Sequence, residues 1–548
     1  MDPFQISDRF VDDVLEISPM ACSSLGFRGA DDRWDDLSPA GVAELNDLNR
    51  SYRSEIVAHA QHEDRDQRHA ARVLTGYLDL QIAEYESGDH VYDLNHIYCG
   101  FSRVRDIFDI MPRDSAPAWS NIAARLRTIG EPWSGWQEVL AQGVDQGRVV
   151  ARRQVESVIE QAQSLAGPES RFLDLLQQAR SYDLSSPELE EGVRVAREAA
   201  GELVEWLRDQ YLPHSVAEDG VGQDRYLRAA ERFLGMTIDP TETYRWGWEE
   251  IGRIRAEMET VARSVDPDRS VGEVIEILEH DPAHAVSRPE FCDFIQSRLD
   301  RAVADLAGAH FDVPDPIRSI TVNIAPPGGA LGAWYINPSV DWERPGSVWY
   351  SLGEKTQIPV WQEVTTAYHE GFPGHHLQVA TAMHQAEHLS SAQRLFIWYP
   401  GYGEGWALYA ERLMDELGYF DLPEYRLGML ASHLFRAVRV VVDLGSHLGY
   451  AIPANAPLHP GQPWDYARAV DYVHHIGLQP DDVAESEVKR YLGWAGQAIS
   501  YKVGEREILD IRHALERRPG FDLKGFHRRL LEGGELRLDH LRERMLTL

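Results

Sequence analysis

The chain has 548 residues, 43% of them hydrophobic, which suits a large globular core and excludes a disordered chain. A formal net charge of −34 argues against nucleic acid and anionic membrane as partners, since both would be repelled. Three widely spaced cysteines, Cys22, Cys99 and Cys292, offer neither a disulfide framework nor a thiolate metal cluster, and no apolar run reaches the length of a membrane span.

In chain order, Phe10, Val14 and Ile17 fall at helical spacing. Met1-Asp2-Pro3-Phe4-Gln5 carries no basic-then-apolar leader, so a cytoplasmic location is expected. Residues 40–86 read as helical at length through Leu45, Leu48, Tyr52, Ile56, Leu74, Tyr77 and Leu80. Further amphipathic segments are predicted at 118–129, 134–166, 169–181 and 186–210, split by Pro132, Gly167-Pro168 and Ser185-Ser186-Pro187. The first 210 residues hold almost no strand signal, so helices stacked on helices are expected. After Asp239-Pro240, Thr241 or Thr243 is expected to cap a long helix to Val265, with helices at 271–280 and 288–308 beyond it.

The texture then changes. Ile320, Val322 and Ile324 alternate with Thr321 and Asn323, and 333–336 and 348–352 read as two more short strands. A small antiparallel sheet over about 315–353 is predicted, either as plain support or as an edge offered to a substrate backbone. The rest is predicted helical, at 374–387, 391–397, 403–417, 424–449, 464–475, 480–490, 494–517 and 523–546.

Between sheet and helices stands Tyr368-His369-Glu370-Gly371-Phe372-Pro373-Gly374-His375-His376-Leu377-Gln378. A His-Glu pair followed by histidines is similar to the zinc motif H-E-x-x-H, in which two histidines on one helix face bind metal and the glutamate activates water. Here, however, position i+4 is Pro373, and the next histidines come at i+6 and i+7. On an unbroken helix these lie roughly 9 and 10.5 Å along the axis, too far for rings each about 2.0–2.1 Å from one zinc. A shared metal requires a break between His369 and His375, and Gly371, Pro373 and Gly374 are the residues that allow one.

A zinc site needs a third ligand, and Glu404 or Glu411 on the helix begun by Gly403-Glu404-Gly405-Trp406 could supply it. Arg436, Arg439, Asp443 and His447 form a polar stripe on an apolar helix, readable as buried ion pairs or as site residues. Gly496-Gln497-Ala498-Ile499-Ser500-Tyr501-Lys502-Val503-Gly504 sets a tyrosine and a lysine among small residues. Tyr501 is either a packed aromatic or a hydrogen-bond donor to an oxyanion.

His369 to His376, Glu404 to Glu411, Arg439 to His447 and Gly496 to Gly504, together with Gly235 to Met258, resemble the bacterial family called domain of unknown function 885. Ala495 departs from the proline usual in that family. The family in turn resembles helical zinc peptidases of the angiotensin-converting-enzyme and oligopeptidase groups, with two lobes about a deep channel. The resemblance implies a metallopeptidase-like hydrolase and names no substrate.

The expectation is a mainly α protein, with an N-terminal helical lobe over 1–240 and a metal-binding lobe over 241–548. One Zn²⁺ is expected on His369, His375 (or His376) and Glu404, with Glu370 as general base and Tyr501 and His447 stabilising the oxyanion. Arg439, Lys502 and Tyr335 are expected to contact a short peptide or small amide. A metal enzyme acting on a non-peptide small molecule and a non-catalytic peptide binder are the rival expectations.

Overall fold

Helix caps written into the sequence set most of the elements. The computed structural model describes residues 1–325, 332–339 and 341–547, and the chain is mainly α. Asp2, Ser38, Asp64, Ser115 and Ser186 each accept a first-turn N–H of the helices Pro3–Ile17, Pro39–Ile56, Arg65–Ser87, Ala116–Thr128 and Pro187–Trp206. The segment predicted as one helix over 134–166 is two, Gly130–Asp145 and Arg152–Ala166. Gly147 between them takes a left-handed φ of 67°. Pro132 does not end a helix; it sits in the first turn of Gly130–Asp145, where a missing N–H loses no intrahelical partner.

By contact the chain forms two units. Met1–Arg225 with Lys489–Trp494 is one, and Tyr226–Val488 with Ala495–Leu548 is the other. The first is helical and centred on buried aromatics, with Phe101 stacked on Trp133 at 5.7 Å beside Trp136, Ile122 and Leu126. No described helix is long and apolar enough to cross a membrane.

The second unit holds the strands and the His-rich segment. Asp239, not Thr241 or Thr243, caps helix Pro240–Val265 by accepting from the Glu242 N–H at 2.9 Å, and Pro240 fills the first helical position. That helix lies along Pro423–Leu448, where Gly247 leaves room for Val440 and Val441. The described strands are β1 (Ala285–Ser287), β2 (Ile320–Ile324), β3 (Gly332–Ile336), β4 (Gly346–Ser351) and β5 (Gln357–Pro359). The predicted antiparallel sheet is mixed: its order is β2-β4-β3, with β4 antiparallel to β3 but parallel to β2. β4 is buried on both faces and takes the centre, whereas β3, exposed at alternate residues, takes an edge. β1 and β5 pair antiparallel as a second ladder.

Two features of the C-terminal region position the site. Helices Pro400–Glu416 and Ser500–Glu516 cross on glycines: a Cβ on Gly504 would stand 1.9 Å from the Gly401 carbonyl oxygen, and one on Gly405 2.6 Å from the Gly504 Cα. The segment predicted as one helix over 523–546 is two, Leu523–Leu531 and Leu538–Leu546. Gly534 between them has φ 65°, and a Cβ there would also lie 2.8 Å from Leu389.

Candidate metal centre

Helix Glu363–Glu370 ends just after the His-Glu pair. Gly371 (φ −93°, ψ −130°) and Gly374 (φ −73°, ψ −128°) leave the helical region, the Phe372–Pro373 peptide between them is cis, and a new helix runs His375–His384. The break required by the odd histidine spacing is therefore present. A Cβ on Gly374 would stand 1.9 Å from the His369 carbonyl oxygen, so the fold-back needs glycine there. It brings the His369 and His375 rings to 5.0 Å between centroids at 89°.

Glu404 completes the group. Its Oε2 lies 3.3 Å from His369 Nε2 and 3.6 Å from His375 Nε2, and the donor atoms of all three residues fall within 4.8 Å of one another. Two atoms about 2.0–2.2 Å from one tetrahedral metal lie roughly 3.3–3.6 Å apart, so this spacing suits a single ion. Glu404 Oε2 is buried and has no hydrogen-bond partner among the described residues. An oxygen set between two imidazole nitrogens without bonding either has the disposition of a ligand aimed at a common centre.

The structure places the other histidine apart. His376 is fully buried; its Nε2 donates to the Ile317 carbonyl at 2.7 Å, and its Nδ1 accepts from the Tyr335 hydroxyl at 3.0 Å. Both ring nitrogens are used, and Gly346 is small because a Cβ there would meet that hydrogen bond. Tyr335 thus anchors β3 to the second helix while also lining the cavity described below.

Glu411, the other candidate ligand, lies behind His369. Its Oε1 accepts from His369 Nδ1 at 2.8 Å and its Oε2 from the Thr365 hydroxyl, which fixes the tautomer that leaves Nε2 free for a metal. His433 follows, with Nε2 3.6 Å from Glu411 and Nδ1 3.5 Å from Glu505. Lys502, expected at the substrate, is instead buried behind the site, paired with Glu505 and with Glu250 at 2.8 Å. Its helix turns it away from the cavity because Tyr501, one position earlier, occupies the cavity face. His433 carried no sequence signal beyond being a polar residue on an apolar helix.

A cavity of about 660 Å³ within this unit is lined by His369, Glu370, His375, Glu404, Arg436, Arg439, Tyr501 and Glu535, with Trp334, Tyr335 and Trp398 among its aromatic walls. Gly403 admits the Trp398 indole, since a Cβ there would stand 2.5 Å from it. Arg439 pairs with Glu487 at 2.8 Å and stacks on Tyr501 at 4.7 Å. His447, expected beside the oxyanion, does not line this cavity; it lies 3.5 Å from Asp443 and packs on Tyr226, whose hydroxyl donates to Asp443 at 2.7 Å. The polar stripe divides because i+7 and i+11 carry Asp443 and His447 roughly two and three turns along the helix from Arg436. Glu535 carries no sequence signal beyond the Gly533-Gly534 pair that breaks the helix before it.

The charges are strongly perturbed. Burial alone would raise Glu404 and Glu411, but the imidazoles beside them hold both well below the ordinary carboxylate range. Burial would lower His369, but the same two carboxylates outweigh it and raise it to about 10, a field that favours positive charge at this point. Burial raises the Glu370 carboxyl above its usual value, against the opposing pull of His369 and His375. His376, buried with one carbonyl partner, is lowered to about 4.

Fold and site together define a mainly α protein with a small mixed sheet and a group of two buried histidines and one half-buried glutamate on a cavity wall. The chain belongs to the family described as "Bacterial protein of unknown function (DUF885)", which matches residues 19–545. No curated protein matches it. A solved structure described as a "putative lipoprotein" from Colwellia psychrerythraea is 22% identical with a TM-score of 0.85, over 99% of this chain and 98% of that one. Another, described as a "putative lipoprotein of unknown function" from Shewanella oneidensis, is 18% identical with a TM-score of 0.76, over 100% of each chain. At these identities the likeness is one of fold.

Proposed function

We propose that this chain is a zinc-dependent hydrolase that cleaves amide bonds of short peptides with water. The observation that carries the reading is the Glu404 carboxylate oxygen held 3.3 and 3.6 Å from two imidazole nitrogens, without a hydrogen bond, in the wall of a cavity that also holds Glu370. His369, His375 and Glu404 would hold the ion, and Glu411 with Thr365 orients His369. When bound, zinc supplies Lewis acidity toward a carbonyl and toward water.

The chain's own groups do the rest. Glu370 follows His369 directly and has a carboxyl raised by burial, so it can take a proton from water and return it to the leaving amine. Tyr501 lines the cavity, and in this reading its hydroxyl donates to the substrate oxygen as negative charge develops; Arg436 and Arg439 stack around its ring at 5.8 and 4.7 Å. Trp334 and Trp398 offer apolar faces to substrate side chains.

The test is metal analysis of the purified chain, followed by digestion of a peptide library read by mass spectrometry. Wild-type protein is expected to hold one zinc and cleave short peptides. Glu370→Gln should keep the zinc and lose at least about a hundredfold in turnover, the low end of general-base contributions. A metal-free wild-type protein, or undiminished cleavage by Glu370→Gln, would refute the reading.

A further inference from the structure

Among the described residues, two ionisable side chains in the cavity wall, Arg436 and Glu535, form no ion pair. Among the described residues Arg436 hydrogen-bonds only within its own helix, to Ser432 Oγ at 2.6 Å and the Ser432 carbonyl at 3.4 Å, and its buried Nε has no partner there. Among the described residues no carboxylate lies within ion-pair distance of it, although the chain carries a net charge of −34 and Glu370 and Glu404 share the cavity. Its neighbour Arg439, by contrast, is neutralised by Glu487. Glu535 is the mirror case at 8% exposure. Its Oε1 accepts from Gln378 Nε2 at 2.7 Å, the Tyr399 backbone adds a dipole, and its Oε2 is buried without a hydrogen-bond partner. No described lysine, arginine or histidine pairs with it, and Arg436 and Glu535 do not pair with each other.

An ionisable group held away from water without a counter-charge is disfavoured in its charged form, and a ligand that supplies the counter-charge removes that penalty. An unpaired base and an unpaired acid in one cavity of about 660 Å³ call for a molecule carrying both a carboxylate and an ammonium. We propose that the cavity selects a short zwitterionic substrate, a peptide with both ends free, taking its carboxylate on Arg436 and its ammonium on Glu535. This rests on the hydrolase reading only for what happens to the peptide afterwards; the recognition is a binding property.

The binding test uses four forms of one dipeptide, leucyl-phenylalanine: free, N-acetylated, C-amidated and doubly blocked. Each is titrated by calorimetry into the full chain bearing Glu370→Gln, and mass spectrometry of the recovered peptide confirms that it stayed intact during the titration. The free form is expected to bind at least tenfold more tightly than either singly blocked form. Adding Arg436→Gln should erase the penalty for the C-terminal amide and leave that for the acetyl group; Glu535→Gln should do the reverse. Arg436→Lys and Glu535→Asp, which keep the charge, should retain most of the preference and guard against misfolding by the neutral variants. Equal affinity for all four forms would overturn the proposal. So would end preferences that survive the matching neutral substitution, as expected if the ion alone took the carboxylate. Wild-type cleavage of the free form is scored separately, and its absence would count against the hydrolase while leaving the binding result to stand.

Discussion

Replacing Glu535 by glutamine removes one buried ionisable group and almost no volume, so its effect on stability isolates electrostatics. Burial pushes the Glu535 carboxyl up to about 8, against weaker opposition from the Tyr399 backbone and Gln378. In the unfolded chain it titrates near the ordinary glutamate value of about 4.3. Between those values the folded state holds a proton that the unfolded state has released, so stability falls as pH rises across that window. Each pH unit costs about 1.4 kcal/mol, and over about 3.7 units the ceiling is roughly 5 kcal/mol. Glutamine keeps a carbonyl for the Gln378 hydrogen bond and never ionises. Urea denaturation of wild type and Glu535→Gln, compared at pH 5 and pH 9, cancels every other titrating group. The variant is expected to match wild type within about 1 kcal/mol at pH 5 and to exceed it by roughly 2–5 kcal/mol at pH 9. A stability difference that is the same at both pH values would refute the reasoning, because it would mean that Glu535 is already ionised and satisfied in the fold.

Three further outcomes are expected besides that for Glu370→Gln. Glu404→Ala should abolish stoichiometric zinc, whereas Glu411→Gln should keep it and weaken it about ten- to hundredfold in a chelator competition, the range for an outer partner of a metal histidine; the opposite pattern would exchange the two roles. Tyr501→Phe should lower kcat for a peptide while leaving KM and the thermal midpoint nearly unchanged, since only a transition-state hydrogen bond is removed; a fall in the midpoint with normal kcat would mark a packing residue. Gly504→Ala should destabilise the fold by at least about 2 kcal/mol in denaturant titration, because its new methyl would stand 1.9 Å from a backbone oxygen that cannot swing aside; a stable variant would show that the two helices can separate freely.

Much of the local structure was legible in residue order. Apolar spacing and Ser, Asp and Pro caps located most helices, and the Pro373-centred interruption followed from distance alone, because no regular helix brings i and i+6 onto one ion. The sequence also narrowed the third ligand to two glutamates on one helix, Glu404 and Glu411.

What residue order could not decide was which face each of these groups turns to, since that depends on elements far apart in the chain. His375 rather than His376 joins His369 because Ile317 and Tyr335, more than forty residues upstream, occupy both nitrogens of His376. Lys502 and His447 read as site residues from their neighbours, yet buried carboxylates on other turns and helices, Glu250, Glu505 and Asp443, hold them elsewhere. The antiparallel sheet became mixed because the twice-buried β4 took the centre, a choice made by what covers it. Glu535 reaches the cavity only because Gly534 breaks its helix against Leu389. Periodicity and capping are local physics and act within a few residues; charge pairing and burial act through space, and only the folded chain brings those partners together.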